Sequence, residues 1–201
     1  MKLRLATVLL ISQLASPPAR SDESTRLAVR LDPAESRLSF TLEATLHTVE
    51  GSFRLVSGDC LVDTERRSIE GRLVIDAASG ATGNKKRDAK MHAEVLESSR
   101  YPAIVFEPSS YSGELALEGS SRLELAGSLK LHGESRPLRV PVEVFLDGGR
   151  LRVKGEVSLP YVDWGLEDPS SFLLRVAESV DLSLELVGRL GAATATGGAG
   201  D

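Results

Sequence analysis

From Ser36 onward apolar and polar side chains alternate: Leu38, Phe40, Leu42, Ala44 and Leu46 take one parity, and Ser39, Thr41, Glu43 and Thr45 take the other. A period of two marks a strand with one face on a core and the other in water. The pattern returns at Ile69, Gly71, Leu73 and Ile75, at Leu123, Leu125, Gly127, Leu129 and Leu131, and at Leu138, Val140, Val142, Val144 and Leu146. A last run holds Val180, Leu182, Leu184 and Leu186. Long strands are therefore predicted over 36–46, 51–63 with a bend near Gly58, 68–76, 103–110, 121–132, 136–146, 150–159 and 178–190, with a shorter one over 27–31.

Short polar links separate these runs: Glu65-Arg66-Arg67-Ser68, Gly133-Glu134-Ser135 and Asp147-Gly148-Gly149. Such links suit antiparallel hairpins, so strands adjacent in sequence should pair. Long one-sided strands must cover their apolar face, and closing the sheet does this while removing its edges. The expected fold is all-β, an eight-stranded antiparallel barrel with one amphipathic helix, which is wide enough for one small ligand. A two-sheet sandwich satisfies the same alternation and stays open on pattern alone.

One segment leaves the β rhythm. Ala89, Met91, His92, Val95 and Leu96 fall at helical spacings between Lys85 and Ser98, behind Asn84 as N-cap. This predicts a single amphipathic helix. A second helical turn is expected from Asp168-Pro169 towards Leu174.

The ends read differently. Lys2 and Arg4 precede an apolar run from Leu5 to Leu14, then Pro17-Pro18 and the small residues Ala15, Ala19 and Ser21. That order is the layout of a secretory signal peptide over 1–21, with an apolar run too short to span a bilayer. The expectation is a periplasmic or secreted protein whose barrel domain fills 22–190, followed by a small, polar and disordered tail over 191–201.

Charge and chemistry narrow the function. The net charge is −5 and no Lys/Arg block resembles a nucleic-acid footprint, so nucleic acid is set aside as a partner. Cys60 is the single cysteine, which rules out an intramolecular disulfide and reads as a small buried hydrophobe. His47, His92 and His132 sit in separate contexts, without metal-ligand spacing. No nucleophile elbow, phosphate loop or dinucleotide fingerprint occurs. The expectation is a binding protein rather than an enzyme, with no cofactor. Asp88 and His92, four apart on the helix, are the one pair that catalysis could use, and an exposed ion pair accounts for them equally.

Four stretches carry a family resemblance: Asp32-Pro33-Ala34-Glu35-Ser36 leading into Leu38-Ser39-Phe40; His47 to Phe53; Arg87-Asp88 with Met91 and then Tyr101-Pro102-Ala103-Ile104-Val105-Phe106; and Gly127 to Gly133 running into Pro137-Leu138. Asp163-Trp164-Gly165 adds a weaker match. In this order they resemble the YceI-like family, over roughly Asp32 to Arg189. The resemblance implies a lipocalin-shaped barrel that binds a polyisoprenoid lipid, such as a quinone or a polyprenyl diphosphate, in the cell envelope. It is compatible with transient membrane contact and with a homodimer.

On that reading, strand parity nominates Phe40, Leu42, Ile75, Phe106, Leu129, Val142, Val157 and Leu182 as lining residues. With only five Phe, three Tyr and one Trp in the chain, such walls suit a flexible aliphatic chain. Burying a five-carbon isoprene unit is worth about 4 kcal/mol gross, at ~0.8 per carbon. Alternation alone does not separate an open lumen from a solid core. Lys85, Lys86 and Arg87 crowd a helix start, where positive charge is unfavourable, and are candidates for an anionic head group; solvated lysines and an Arg87 paired with an acid are the plain alternative. Tyr161, Trp164 and Phe172 form either a lid at the barrel mouth or a cap on a closed end.

Overall fold

A computed structural model describes residues 26–45, 47–170 and 175–193. Its strands are β1 (Arg26–Leu31), β2 (Arg37–Glu43), β3 (Thr48–Asp63), β4 (Ser68–Ala81), β5 (Ala103–Ser112), β6 (Gly119–Leu131), β7 (Glu134–Asp147), β8 (Arg150–Leu159) and β9 (Val180–Ala192). All pair antiparallel in one closed sheet. This is the barrel, and the sandwich is excluded.

The nine segments fill eight positions. β1 and β2 both lie between β3 and β9: β1 pairs along Arg26↔Asp63 and Leu31↔Gly188, β2 along Leu38↔Phe53 and Leu38↔Leu184. They are one broken strand. At the break, Asp32-Pro33-Ala34-Glu35 turns out of the sheet, and the hydroxyl of Ser36 stands in for the missing ladder group by accepting from Val187 N–H (3.1 Å). Asp32 N–H still donates to the Val187 carbonyl (2.7 Å).

β3 changes parity midway. Val49, Phe53 and Leu55 face inward, a register shift follows between Leu55 and Ser57, and then Gly58, Cys60 and Val62 take the inner side. The bulge bends the strand near Gly58, as the sequence predicts, and Leu31 lies over that glycine, where a Cβ would come within 2.4 Å of Leu31 Cδ1.

The helix is shorter than the pattern predicts. α1 spans Lys85–Lys90, and Met91–Val95 continues as a π-helical turn in which Leu96 N–H donates to the Met91 carbonyl (2.8 Å). Glu97, at φ +43°, ends it, and its carbonyl accepts from Arg100 and Tyr101 N–H. The helix therefore stops before Ser98, because backbone in the left-handed region cannot extend a right-handed helix. Three other expectations change. β4 runs on to Ala81 through small residues that the strand pattern did not include, and Gly191 and Ala192 belong to β9, paired with Ala28 and Leu27, rather than to a tail. No helix occupies 166–170, where Ser170 N–H donates to Asp168 Oδ1 (2.9 Å) in a local turn. Residues 1–25, with the leader expected over 1–21, Leu46, the remainder of the 168–174 turn including Phe172, and the chain from 194 lie outside the described residues.

The two ends of the barrel differ. At one end hairpin turns close a solid core in which Leu146 is 1% exposed and Leu31, Val62, Tyr111, Val144 and Leu151 are all buried. At the other end the long links between β4 and β5 and between β8 and β9 fold over the opening, and Leu96, Tyr161 and Leu166 form a second buried cluster.

Candidate functional site

Between these clusters lies an apolar cavity of about 190 Å³. Every strand except β1 contributes to its wall, chiefly through inward side chains of the helix-end half: Phe40, Phe53, Ile75, Phe106, Val157 and Leu182 are representative. The helix adds Met91, Val95 and Leu96, and the β8–β9 link adds Tyr161 and Leu166. The π turn has a consequence here, since an added residue in the turn lets Val95 and Leu96 both border the lumen along with Met91. Among the described residues the only polar side chains on the wall are Ser39, Ser183 and Tyr161.

Glycine makes the space. The Phe40 ring lies flat over Gly51, where a Cβ would come within 2.3 Å of Phe40 Cζ. Likewise the Phe53 ring and Met91 lie over Gly80, whose added Cβ would stand 2.7 Å from Phe53 Cε1. The two rings lie 5.3 Å apart, tilted against each other, and both border the cavity.

Of the lining residues nominated from parity, Phe40, Leu42, Ile75, Phe106, Leu129, Val157 and Leu182 border the cavity. Val142 does not. It sits one layer deeper, buried in the solid core with Val144 and Leu146, so parity placed it on the correct face but not at the correct height. Tyr161 borders the lumen, and its hydroxyl donates to the Ala177 carbonyl (2.9 Å). Burial, reinforced by Asp168 and Glu178, pushes its pKa up to about 12. Trp164 is not on the wall; it packs between the two clusters.

The helix start does not face the cavity. Lys85 and Lys86 are exposed, and the Asn84 side chain already accepts from Lys86 N–H (3.1 Å) and Arg87 N–H (3.2 Å). Arg87 is engaged with Thr82, through Nε to Oγ1 (2.8 Å) and Nη2 to the carbonyl (3.1 Å). Asp88 accepts from the same threonine's hydroxyl and N–H, which hold its carboxyl below its ordinary value. The Arg87-Asp88 pair is thus a clasp fastening the helix to the end of β4. His92 is likewise occupied: its Nε2 meets the Gly80 carbonyl (2.8 Å), which only accepts, so Nδ1 accepts from the Ser98 hydroxyl (3.0 Å). Neither member of the Asp88/His92 pair faces the lumen.

One residue at this end escaped sequence reasoning. Arg136 shares the inner face of β7 with Leu138 and Val140, bonds Glu134 (2.6 Å) and the Trp164 carbonyl (3.4 Å), and lies 6.0 Å from the Trp164 ring centre. Among the described residues its Nε is buried without a hydrogen-bond partner. The strand parity that marks Leu138 as inward also marks Arg136, and that was the available signal. Among the described residues no group of three or more His, Cys, Asp or Glu is placed to hold a metal ion, and no helix is long and apolar enough to cross a membrane.

A closed antiparallel barrel with a capped apolar lumen defines the class of lipocalin-shaped binding folds. A family model described as a YceI-like domain matches residues 30–188, and the chain belongs to that family. Among its relatives is a UPF0312 protein of Vibrio cholerae, 24% identical over 149 residues that cover 70% of this chain and 74% of the relative. Among solved structures, the fold resembles a polyisoprenoid binding domain from Saccharophagus degradans implicated in plant cell wall breakdown, with TM-score 0.67, 23% identity, and coverage of 82% of this chain and 99% of that one. It also resembles BcnA of Burkholderia cenocepacia, with TM-score 0.65, 19% identity, and coverage of 78% and 98%.

Proposed function

We propose that this protein binds the hydrocarbon chain of an isoprenoid lipid, a quinone or a polyprenyl diphosphate, and carries or sequesters it in the cell envelope without chemical turnover. The observation that carries this reading is the cavity itself, a void walled almost entirely by Leu, Val, Ile, Phe and Met. Empty space of this kind loses dispersion contacts along its lining and stays dry, so it is costly unless something apolar fills it. Family membership and the Saccharophagus domain support the isoprenoid. Entry is at the helix end, because the other end is packed solid. The polar end of the ligand then lies near Arg136 and the cap rather than at Lys85, Lys86 and Arg87. Export by the 1–21 leader completes the reading.

Organic extraction and mass spectrometry of the protein purified from its own envelope test it. A co-purifying prenyl lipid in near-stoichiometric amount is the expected result. Protein free of any apolar molecule that also fails to take up added prenyl lipid would overturn the proposal.

A further inference from the structure

The lumen has a floor, and its position sets how much chain can enter. Val142 on β7 pairs with Gly155 on β8, and Gly155 in turn with Leu184 on β9. Because Gly155 has no side chain, its two neighbours lean over it: a Cβ there would lie 2.9 Å from Val142 Cγ1 and 3.4 Å from Leu184 Cδ1. Leu184 and, one inward position deeper, Leu186 belong to the cavity wall and Val142 does not, so the filled part of the barrel begins at Val142 on β7 and below Leu186 on β9. There Leu55, Val144, Leu146, Leu151 and Val153 are all buried in one continuous cluster. Above the lumen the Leu96, Tyr161 and Leu166 cluster closes the other side.

The space between is small. An engineered protein cavity of about 150 Å³ takes one benzene, so by the same ratio 190 Å³ takes about eight carbons. That is one isoprene unit and part of a second. It also lies below the ~300 Å³ at which ordinary ligand pockets begin.

We infer that the barrel is a length gauge, which buries about eight carbons at the end of an apolar chain above a floor at Val142 and Leu186 and leaves any further units outside the lumen. The inference rests on the isoprenoid reading for the chemistry of the chain and adds the length. Its ligand class is a short prenyl chain, or only the tip of a long one, and discrimination falls on the first two units.

Equilibrium competition of prenyl alcohols of five, ten, fifteen and twenty carbons against a fluorescent apolar probe, on the full chain, tests this. Each newly buried carbon is worth about fourfold in affinity, and about three of the five added carbons fit inside the lumen, so the step from five to ten carbons should gain roughly sixty-fold. The fifteen- and twenty-carbon alcohols should then stay within about threefold of the ten-carbon one. A further steep gain at fifteen carbons would overturn the gauge and leave the carrier reading intact; no binding at any length would overturn both. Val142→Ala, shown to be folded by a cooperative melt, should move the break to a longer chain. An unmoved break in a folded variant would contradict the floor assignment, and if the variant does not fold, the length series on the unaltered protein decides.

Discussion

The ring of Phe40 occupies the space that a side chain on its cross-strand partner Gly51 would need, with 2.3 Å between Phe40 Cζ and the position of an added Cβ. A bulky residue is thereby kept out of the lumen by the absence of one on the neighbouring strand. Gly51→Ala should push the ring inward, because the Ala81 carbonyl, 2.8 Å from the same Cβ, blocks retreat on the other side. The expected outcome is at least a tenfold loss of prenyl alcohol affinity, with a stability cost of about 1–3 kcal/mol from crowding. Ligand titration beside urea denaturation checks both, and unchanged affinity would show that the ring does not guard the space.

The two halves of the barrel should respond oppositely to added bulk. Ile75→Phe places a larger side chain into the void and should abolish chain binding at little cost in stability, because the space is already there. Val144→Phe makes a similar addition in the filled half and should cost about 1–3 kcal/mol. Equal destabilisation of the two variants in thermal melts would argue that the lumen collapses in solution.

The clasp at Thr82 gives a pH signature. Hydrogen bonding from Thr82 holds the Asp88 carboxyl below its ordinary value. A depressed folded-state pKa contributes stability above the unfolded value of about 3.9, and the contribution is lost as pH falls through the folded value. The stability gap between the unaltered protein and Asp88→Asn should hold steady from about pH 5 to 7 and narrow below about pH 4. A gap that widened on acidification would contradict the clasp. Lys85→Ala with Lys86→Ala should leave prenyl alcohol affinity unchanged, as neither side chain reaches the cavity.

Cys60 is half-buried, and burial, with Asp59 adding to it, pushes its thiol pKa up to about 11. At pH 8 roughly one thiol in a thousand is then the reactive thiolate. Labelling by a disulfide reagent should be slow in the folded protein and become fast in denaturant. Rapid labelling of the native protein would place the thiol in water.

Strand parity fixes which way a side chain points and says nothing about what it meets there. For that reason Phe40, Ile75, Val157 and Leu182 were legible as inward residues, while the void they surround was not. The void depends on rings lying over Gly51 and Gly80, a relation between strands that no single strand encodes. Val142 shows the same limit, since its parity matches that of Val140 although one borders the lumen and the other the floor. Parity also fails across a bulge, as at Leu55 and Ser57. The basic helix start misled because the charge pattern reports crowding among Lys85, Lys86 and Arg87, while the groups that engage the helix start, Asn84 on its backbone N–H groups and Thr82 on the Arg87 side chain, are short polar side chains with no periodic signal. The split of one barrel position into β1 and β2 is prefigured by Asp32-Pro33, yet only the shared partners β3 and β9 reveal that the two pieces are collinear.

The central claim is that a hydrocarbon chain occupies the helix-end half of the barrel and stops at the floor. Intermolecular nuclear Overhauser contacts from a bound ten-carbon prenyl alcohol to protein carrying labelled Ile, Leu and Val methyl groups test it in one spectrum. The account predicts contacts to Ile75, Val157 and Leu182 and none to Val144, Leu146 or Leu151. Contacts to the second set, or to no interior methyl group at all, would contradict it.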